Sequence, residues 1–212
     1  MARIVGIEKG ASGAVKAVAV DGSFFIFRNV FLAAALMERG LSLPFTERRD
    51  DDDPFVEVAD EALDDAVAAT EAEARALALL ARAEQYRFGL ERKLTARGFS
   101  RFAIRVALDG LESVGLLSDE RYASSWIRQR IRHKVEGPRS LAAALSVKGV
   151  DRRAVKAAMD QVLEDGDTQR IIMRCAARLV DSGGEMADHR ARLIELGWRP
   201  ADVDEAIDSL ES

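Results

Sequence analysis

The sequence predicts a mainly α protein, with three tandem three-helix repeats in an elongated array and a small N-terminal domain of a β-meander plus helix. One pattern of six positions occurs three times, at offsets of 51 and then 48 residues, which is typical of repeat architectures. Ahead of the repeats, short segments with a hairpin signal indicate antiparallel strands. The predicted parts are an N-terminal domain at 1–45, an acidic linker and lead-in helix at 46–71, and repeats at 72–117, 118–166 and 167–212.

Each copy of the pattern contains a leucine, a glycine four residues later and an apolar residue directly after the glycine. A glycine just past a helix end adopts the left-handed conformation at low cost, and the next apolar residue then folds back onto the leucine. The pattern therefore predicts three equivalent helix stops at Gly98, Gly149 and Gly197, with the contacts Leu94 to Phe99, Leu145 to Val150 and Leu193 to Trp198.

After each stop, three apolar residues spaced four and then three apart form one stripe of an amphipathic helix. Ser100 and Asp151 are suited to cap the first two of these helices, and Pro200 suits the first turn of the third. The stripes are Ile104, Leu108 and Leu111, then Val155, Met159 and Val162, then Val203, Ile207 and Leu210.

The N-terminal domain is predicted from alternation and turn chemistry. Asp21 and Gly22 form a two-residue hairpin signal. Asn29 is suited to cap a helix that runs to Arg39 and is stopped by Gly40. Strands are predicted at 3–7, 14–20 and 23–27.

The next segment has no apolar periodicity and contains four consecutive aspartates at 50–53. An exposed, solvated linker is the plain interpretation, while a cation site and an electrostatic decoy for a basic surface are alternatives. Residues 56–83 are rich in alanine and glutamate, which predicts a helix. Thr70 and Glu73 match a capping box, which predicts that a helix starts again at Thr70.

Caps, stops and apolar spacing also place the remaining helices of the repeats. Ser118 and Asp119 are suited to cap the first helix of repeat two, and Gly137 with Pro138 marks the start of the next. Helices are predicted at 87–97 and 100–114 in repeat one, at 138–148 and 151–164 in repeat two, and at 168–181, 186–196 and 200–210 in repeat three.

Composition limits the class of protein. The 212 residues carry a net charge of -5 and contain a single cysteine, Cys175, so no intrachain disulfide is possible and a reducing compartment is expected. The longest apolar run is at 30–37, whereas a membrane span needs about 20 residues. Since nothing at the N-terminus resembles a signal peptide, we expect a cytoplasmic protein with no membrane partner. We also expect a monomer.

No catalytic constellation is evident in the sequence. There is no dinucleotide fingerprint and no phosphate loop, and neither His133 nor His189 has neighbours at metal-ligand spacing. Cys175 lies among apolar residues of a predicted helix, which favours a packing role over a nucleophilic one. We therefore predict a protein that is not an enzyme and uses neither a cofactor nor a metal.

Charge is strongly segregated along the chain. Residues 75–156 carry 18 basic and 8 acidic side chains, a net charge of +10, whereas 1–74 and 157–212 have net charges of -8 and -7. A basic centre of this size favours a polyanionic partner, such as nucleic-acid phosphates or an acidic protein. An ordinary solvated surface is the alternative.

The candidate binding residues are the cations of repeat two and its approach. Residues 128 and 132 share one helical face, as do 130 and 134, while Trp126, Ile127 and Ile131 are free to face inward. Most aromatic residues occupy apolar repeat positions, but Phe102 does not, so a base-stacking role is open to it. The predicted binding set is Arg128, Arg130, Arg132, Lys134, Arg139, Lys148, Arg152, Arg153 and Lys156, extended by Arg97 and Arg101.

Two groups of residues resemble the RecX family of regulatory proteins. The more specific group belongs to repeat two, and a second group resembles the family's opening repeat. The family often has a serine and then a glutamate at the start of the second helix of repeat one, where this chain has Tyr86 and Gly89. The matching residues are Leu116, Leu117, Ser118, Asp119, Glu120, Arg121, Tyr122, Ala123, Trp126, Arg130, Gly137, Pro138, Arg139, Leu141, Leu145, Lys148, Gly149 and Val150, then Leu79, Leu80, Arg82, Lys93, Leu94, Arg97, Gly98 and Phe99.

The resemblance implies a modulator of the bacterial RecA recombinase. Such proteins are built from three three-helix units and lie in the groove of the RecA filament on single-stranded DNA. They usually suppress filament growth, strand exchange and ATP hydrolysis, and they are not enzymes. Two rivals remain: a helical protein that binds duplex DNA through a helix-turn-helix, and a repeat scaffold that binds peptides without nucleic acid.

Overall fold

The structure, a computed structural model, describes residues 1–10, 13–41, 56–166, 168–181, 183 and 185–211, so the aspartate run at 50–53 lies outside the described residues. The described residues form a mainly α protein, as predicted. The strands are β1 (Ala2–Lys9), β2 (Ala14–Ala19), β3 (Phe24–Arg28) and β4 (Val56–Val58). The helices are α1 (Asn29–Glu38), α2 (Asp60–Leu80), α3 (Arg87–Thr95), α4 (Arg101–Ser113), α5 (Asp119–His133), α6 (Pro138–Lys148), α7 (Arg152–Gly166), α8 (Thr168–Val180), α9 (Met186–Glu195) and α10 (Pro200–Glu211).

The chain divides into two compact units. Unit 1 contains Met1–Ala83 and Leu90–Leu117, and unit 2 contains Glu84–Gly89 and Ser118–Ser212. The division falls within α3, whose first three residues belong to unit 2. Unit 1 therefore contains the strands together with α1, α2 and α4, while unit 2 contains α5 to α10.

The sheet of unit 1 is antiparallel, with strand order β3-β2-β1-β4. The hairpin at Asp21 and Gly22 joins β2 to β3, as predicted, with Gly22 at φ 85°. The prediction of helix from residue 56 is wrong at its start, because Val56–Val58 forms the edge strand β4, with Val56 opposite Ile4. Val58 is buried in the core, so valine alternation outweighs the helix propensity of the residues that follow.

Two predicted helix starts in unit 1 are also wrong. The residue before α1 is Arg28, and no side chain caps this helix, so Asn29 is its first residue instead of its cap. Helix α2 continues through Thr70 without a break. The Thr70 hydroxyl donates to the Ala66 carbonyl at 2.8 Å and accepts from the Arg28 backbone N–H at 3.0 Å, so it bonds within and beyond α2 instead of capping.

The N-terminal elements and the first helical repeat share one hydrophobic core. Phe27, Phe31 and Leu32 are buried against small residues of α2 and α4, including Ala103 and Ala107. Phe102 is half-buried against the same core. This contact explains why an aromatic residue occurs at Phe102 and not at the equivalent positions of the other repeats, since the N-terminal sheet precedes only repeat one.

The three repeat glycines end their helices with the same bonds. Gly98, Gly149 and Gly197 have φ values of 86°, 85° and 96°. In each stop the N–H after the glycine donates to the carbonyl of the leucine, as Val150 does to Leu145 at 3.2 Å, and the glycine N–H donates to the next carbonyl. These are the two bonds of a Schellman motif. Gly40 ends α1 with the same pair of bonds.

The amphipathic helices after the stops pack as predicted, except at the last position. Ser100 accepts from the Ala103 N–H at 3.1 Å, and Asp151 accepts from the Arg153 and Ala154 N–H groups at 2.9 Å, so both caps are confirmed. The stripe of repeat three ends early, because Leu210 is 37% exposed.

Repeats two and three share the core of unit 2, and their backbones approach closely at Gly137 and Gly197. A Cβ atom on Gly137 would lie 2.5 Å from the Gly197 carbonyl carbon, and one on Gly197 would lie 2.7 Å from the Ser140 nitrogen. The Gly137 N–H donates to the Leu196 carbonyl at 2.7 Å, and the Arg139 N–H donates to the Gly197 carbonyl at 3.2 Å. The end of α9 therefore satisfies free donors at the start of α6.

Candidate nucleic-acid interface

Helix α5 carries the centre of the predicted basic surface. Its N-terminus is capped by Ser118, whose hydroxyl accepts from the Arg121 N–H at 3.2 Å, and its last turn contains Arg130 and Arg132, where positive charge suits the helix dipole. Ile127 and Ile131 are buried on the inner face. Because positions 128 and 132 are not on this inner face, both arginines are exposed.

Arg128 and Arg132 line a cavity with a second pair of arginines, which is not among the predicted binding residues. Arg170 and Arg174 of α8 line the same cavity of about 330 Å³, together with the apolar side chains of Ile131, Val162 and Ile171. None of the described residues that line the cavity carries a carboxylate. We call this cavity the arginine cleft and define it by Arg128, Arg132, Arg170 and Arg174.

Further contacts hold α8 beside α5. The Arg178 guanidinium of α8 donates to the Arg132 carbonyl oxygen at 2.9 Å. Beneath it, Ile172 and Cys175 are fully buried in the core that also contains Ile127 and Ile131. The backbones that carry the four arginines are therefore fixed by packing, while the long side chains reach solvent.

The electrostatics of the cleft favour an anionic ligand. Each helix contributes two arginines at i and i+4, and a like-charged pair at this spacing destabilises a helix by about 0.2–0.5 kcal/mol. Arginine cannot relieve this repulsion by losing a proton. A bound anion would relieve it, and guanidinium groups match the geometry of phosphate and carboxylate oxygens.

Arg130, in contrast, is directed away from the cleft and is neutralised. Its Nε and Nη2 atoms donate to the two Glu136 oxygens at 2.8 and 2.7 Å, and its guanidinium lies 5.0 Å from the Trp126 ring centroid. Trp126 is itself half-buried against the core of unit 2. A paired, stacked arginine holds the end of α5 in place and contributes little to an anion site.

The cations at the start of α7 lie at the other end of α5. Asp119, the first residue of α5, accepts from the Asp151 N–H at 2.9 Å, which places Arg152 and Arg153 beside that end. At 1.5 Å per residue, this end is about 20 Å along the helix from Arg132. Both arginines are exposed, whereas Lys156 forms an ion pair with Asp160 at 2.6 Å that raises the pKa of Lys156.

The other predicted binding residues are spread over several elements. Lys134 and Arg139 are exposed at the end of α5 and the start of α6, and Lys148 is half-buried in the last turn of α6. Arg97 and Arg101 belong to unit 1, where they lie on either side of the Gly98 stop. Of the predicted set, the arginine cleft thus contains Arg128 and Arg132 alone.

Asp119 has a structural role that the sequence pattern did not reveal. Its two carboxylate oxygens accept from the Arg87 N–H at 2.7 Å and from the Asp151 N–H at 2.9 Å. The first bond gives the Arg87 N–H, at the start of α3, an acceptor. A Cβ atom on Gly89 would lie 2.8 Å from the Tyr86 ring, which packs against Tyr122 with ring centroids 4.7 Å apart. Tyr86 and Gly89 therefore fit each other.

Comparison with known proteins shows which proteins the chain resembles. Residues 118–159 match the model of the second three-helix domain of RecX. Proteins named Regulatory protein RecX are similar to part of the chain: that of Mycobacterium sp. (strain JLS) is 37% identical over 92 residues, covering 43% of this chain and 50% of the relative. That of Stenotrophomonas maltophilia (strain R551-3) is 41% identical over 95 residues, covering 45% and 56%. Residues 118–159 therefore resemble the second three-helix domain of RecX proteins.

Solved structures of RecX proteins share this fold. A crystal structure of regulatory protein RecX covers 98% of this chain and all of its own with a TM-score of 0.64 at 18% identity. RecX from Lactobacillus salivarius covers 68% of this chain and 97% of its own with a TM-score of 0.56 at 19% identity. The chain spans about half the length of the named relatives that it matches by sequence.

The described residues contain neither of two other features that would indicate a different kind of protein. Among the described residues, no helix combines the length and apolar character that crossing a membrane would require. The same residues contain no group of three or more histidine, cysteine or acidic side chains placed to hold a metal ion. Cys175 is fully buried, and desolvation raises the pKa of its thiol.

Proposed function

We propose that this chain binds the RecA recombinase filament on single-stranded DNA and lowers its recombinase and ATPase activities, as a regulator and not as an enzyme. The likeness to proteins named Regulatory protein RecX supports the choice of RecA as the partner. In this proposal the chain acts in the cytoplasm, in homologous recombination and DNA repair, including the SOS response. One observation carries the proposal beyond the likeness to RecX: four arginines from two helices that are far apart in the sequence line one cavity of unit 2.

The charge distribution fits a protein that acts at an assembled filament. A net charge of +10 over residues 75–156 attracts phosphates, while net charges of -8 and -7 over 1–74 and 157–212 oppose indiscriminate binding to DNA. Such a chain would bind bare DNA weakly and would need further contacts for tight association. A filament that combines DNA with a protein surface offers both kinds of contact.

The test measures RecA ATP hydrolysis on single-stranded DNA as this chain is added. We expect hydrolysis to fall in a saturable way, with tighter binding to the RecA filament than to bare single strand or bare duplex across a salt series. A helix-turn-helix protein would instead prefer duplex of a particular sequence without RecA. A peptide-binding scaffold would show no dependence on DNA. Unchanged hydrolysis at saturating protein would refute the proposal.

A further inference from the structure

We infer that the arginine cleft is a site for one phosphodiester group of a single-stranded nucleic-acid backbone. This inference rests on the proposed function, which it deepens by naming the group that unit 2 binds. The four side chains come from two helices that are far apart in the sequence, Arg128 and Arg132 from α5 and Arg170 and Arg174 from α8. Their convergence is a property of the fold and not of one basic stretch of sequence.

The shape and lining of the cleft favour a phosphodiester over an isolated small anion. The cavity of about 330 Å³ is lined by four arginines, and the other described residues that line it are apolar: Ile131, Val162 and Ile171. A backbone phosphate offers unesterified oxygens to the arginine forks, while the sugar attached to it places carbon atoms against the apolar lining. A free inorganic anion would leave this apolar surface without a partner.

The context of the cleft favours nucleic acid over an acidic protein segment. Arginine-to-phosphate pairs are commonly bidentate, and a polyanionic strand supplies a regular series of such groups. Arg130 of the same helix α5 bonds to both oxygens of Glu136 and lies outside the cleft. The cleft arginines lie on the exposed sides of α5 and α8, where a strand has access.

Arg132 and Arg174 are the residues to change, since one lies on each helix and both are exposed. Arg128 is less suitable because it also lines a neighbouring cavity with Glu84 and Glu120. Glutamine removes the charge and is nearly as good a helix former as arginine, so R132Q/R174Q should retain helicity. The matched control is R192Q/R199Q, which removes two exposed arginines of unit 2 that pair with Glu195 and Asp202.

The experiment measures binding of the full chain to a fluorescent single-stranded oligonucleotide over a salt series, with circular dichroism as the check on folding. We expect R132Q/R174Q to bind at least about tenfold more weakly at low salt, since two charge-assisted hydrogen bonds are lost. If all four arginines grip one phosphate, the slope of log affinity against log salt falls by at most about 0.7, because Arg128 and Arg170 remain, whereas two separate phosphate contacts would lower it by about 1.4. The control should match the wild type.

A second oligonucleotide with an uncharged methylphosphonate backbone tests whether the cleft recognises the phosphate charge. We expect the wild type and R132Q/R174Q to bind it equally weakly. Equal binding of the charged oligonucleotide by R132Q/R174Q and the wild type would overturn the inference, as would a slope loss of 1.4 or an equal loss in R192Q/R199Q. RecA ATP hydrolysis, followed in parallel, tests the proposed function separately. If R132Q/R174Q binds DNA normally but no longer lowers hydrolysis, the cleft binds RecA instead, and the phosphodiester assignment is wrong while the regulatory function stands.

Discussion

The three repeat glycines allow a graded test of the packing, because they share one backbone conformation but differ in their surroundings. A Cβ atom on Gly98 would meet nothing within 4 Å, so Gly98→Ala adds left-handed strain alone, about 1 kcal/mol. On Gly149 the added Cβ would lie 2.6 Å from the Phe88 ring, which is 45% exposed and free to shift. We therefore expect Gly149→Ala to cost about 1–2 kcal/mol.

Gly197→Ala should be the most destabilising of the three. The added Cβ would lie 2.7 Å from the Ser140 backbone nitrogen, which cannot move without disturbing the start of α6. Adding about 1–3 kcal/mol of overpacking to the left-handed strain gives a total of about 2–4 kcal/mol. Gly137→Ala is the matched control, because it adds the clash without left-handed strain. Gly137 has a φ of -89°, and a Cβ there would lie 2.5 Å from the Gly197 backbone.

Urea unfolding measures the series. Trp126 and Trp198 both belong to unit 2, so tryptophan fluorescence reports the unfolding of that unit, while circular dichroism follows the helices of both. We expect the loss in unfolding free energy to increase from Gly98→Ala to Gly149→Ala to Gly197→Ala. If Gly197→Ala costs no more than Gly98→Ala, the close backbone contact between α6 and the end of α9 is wrong.

Two further predictions concern unit 2. Asp119→Ala should lower the unfolding free energy in urea by about 2–3 kcal/mol, because the Arg87 and Asp151 N–H groups both lose their acceptor. Glu120→Ala, on the exposed side of the same turn, should be nearly neutral. Equal effects of the two substitutions would contradict the bridging role of Asp119. Cys175 should react with a disulfide reagent only at the rate at which unit 2 unfolds, because its thiol is fully buried and desolvation raises its pKa; fast labelling of the native protein would show that α8 is not packed as described.

Features with a local physical cause could be predicted from the sequence. Gly98, Gly149 and Gly197 mark helix ends because the left-handed conformation excludes most other residues, and the apolar residue after each glycine fixes the contact. The edge strand β4 could not be predicted in the same way. Three residues are too few to show a period, and Val56–Val58 is a strand only because β1 lies beside it.

The candidate site was predictable only in part, because its two halves come together by folding. Arg128 and Arg132 lie in the basic centre, but Arg170 and Arg174 lie in a segment with a net charge of -7, so counting charge by segment hides them. The local signal that could have selected them is their i, i+4 spacing, which matches that of the first pair. Conversely, Arg130 carries the right charge, but its guanidinium is hydrogen-bonded to Glu136 and lies over the Trp126 ring.

The central claim is the proposal that this chain regulates RecA on single-stranded DNA. Its most direct test is the rate of ATP hydrolysis by RecA on single-stranded DNA, titrated with the wild type, R132Q/R174Q and R192Q/R199Q. We predict that the wild type and R192Q/R199Q lower the rate to the same plateau, and that R132Q/R174Q needs at least about tenfold more protein to do so. A rate that stays constant at saturating wild-type protein would contradict the claim.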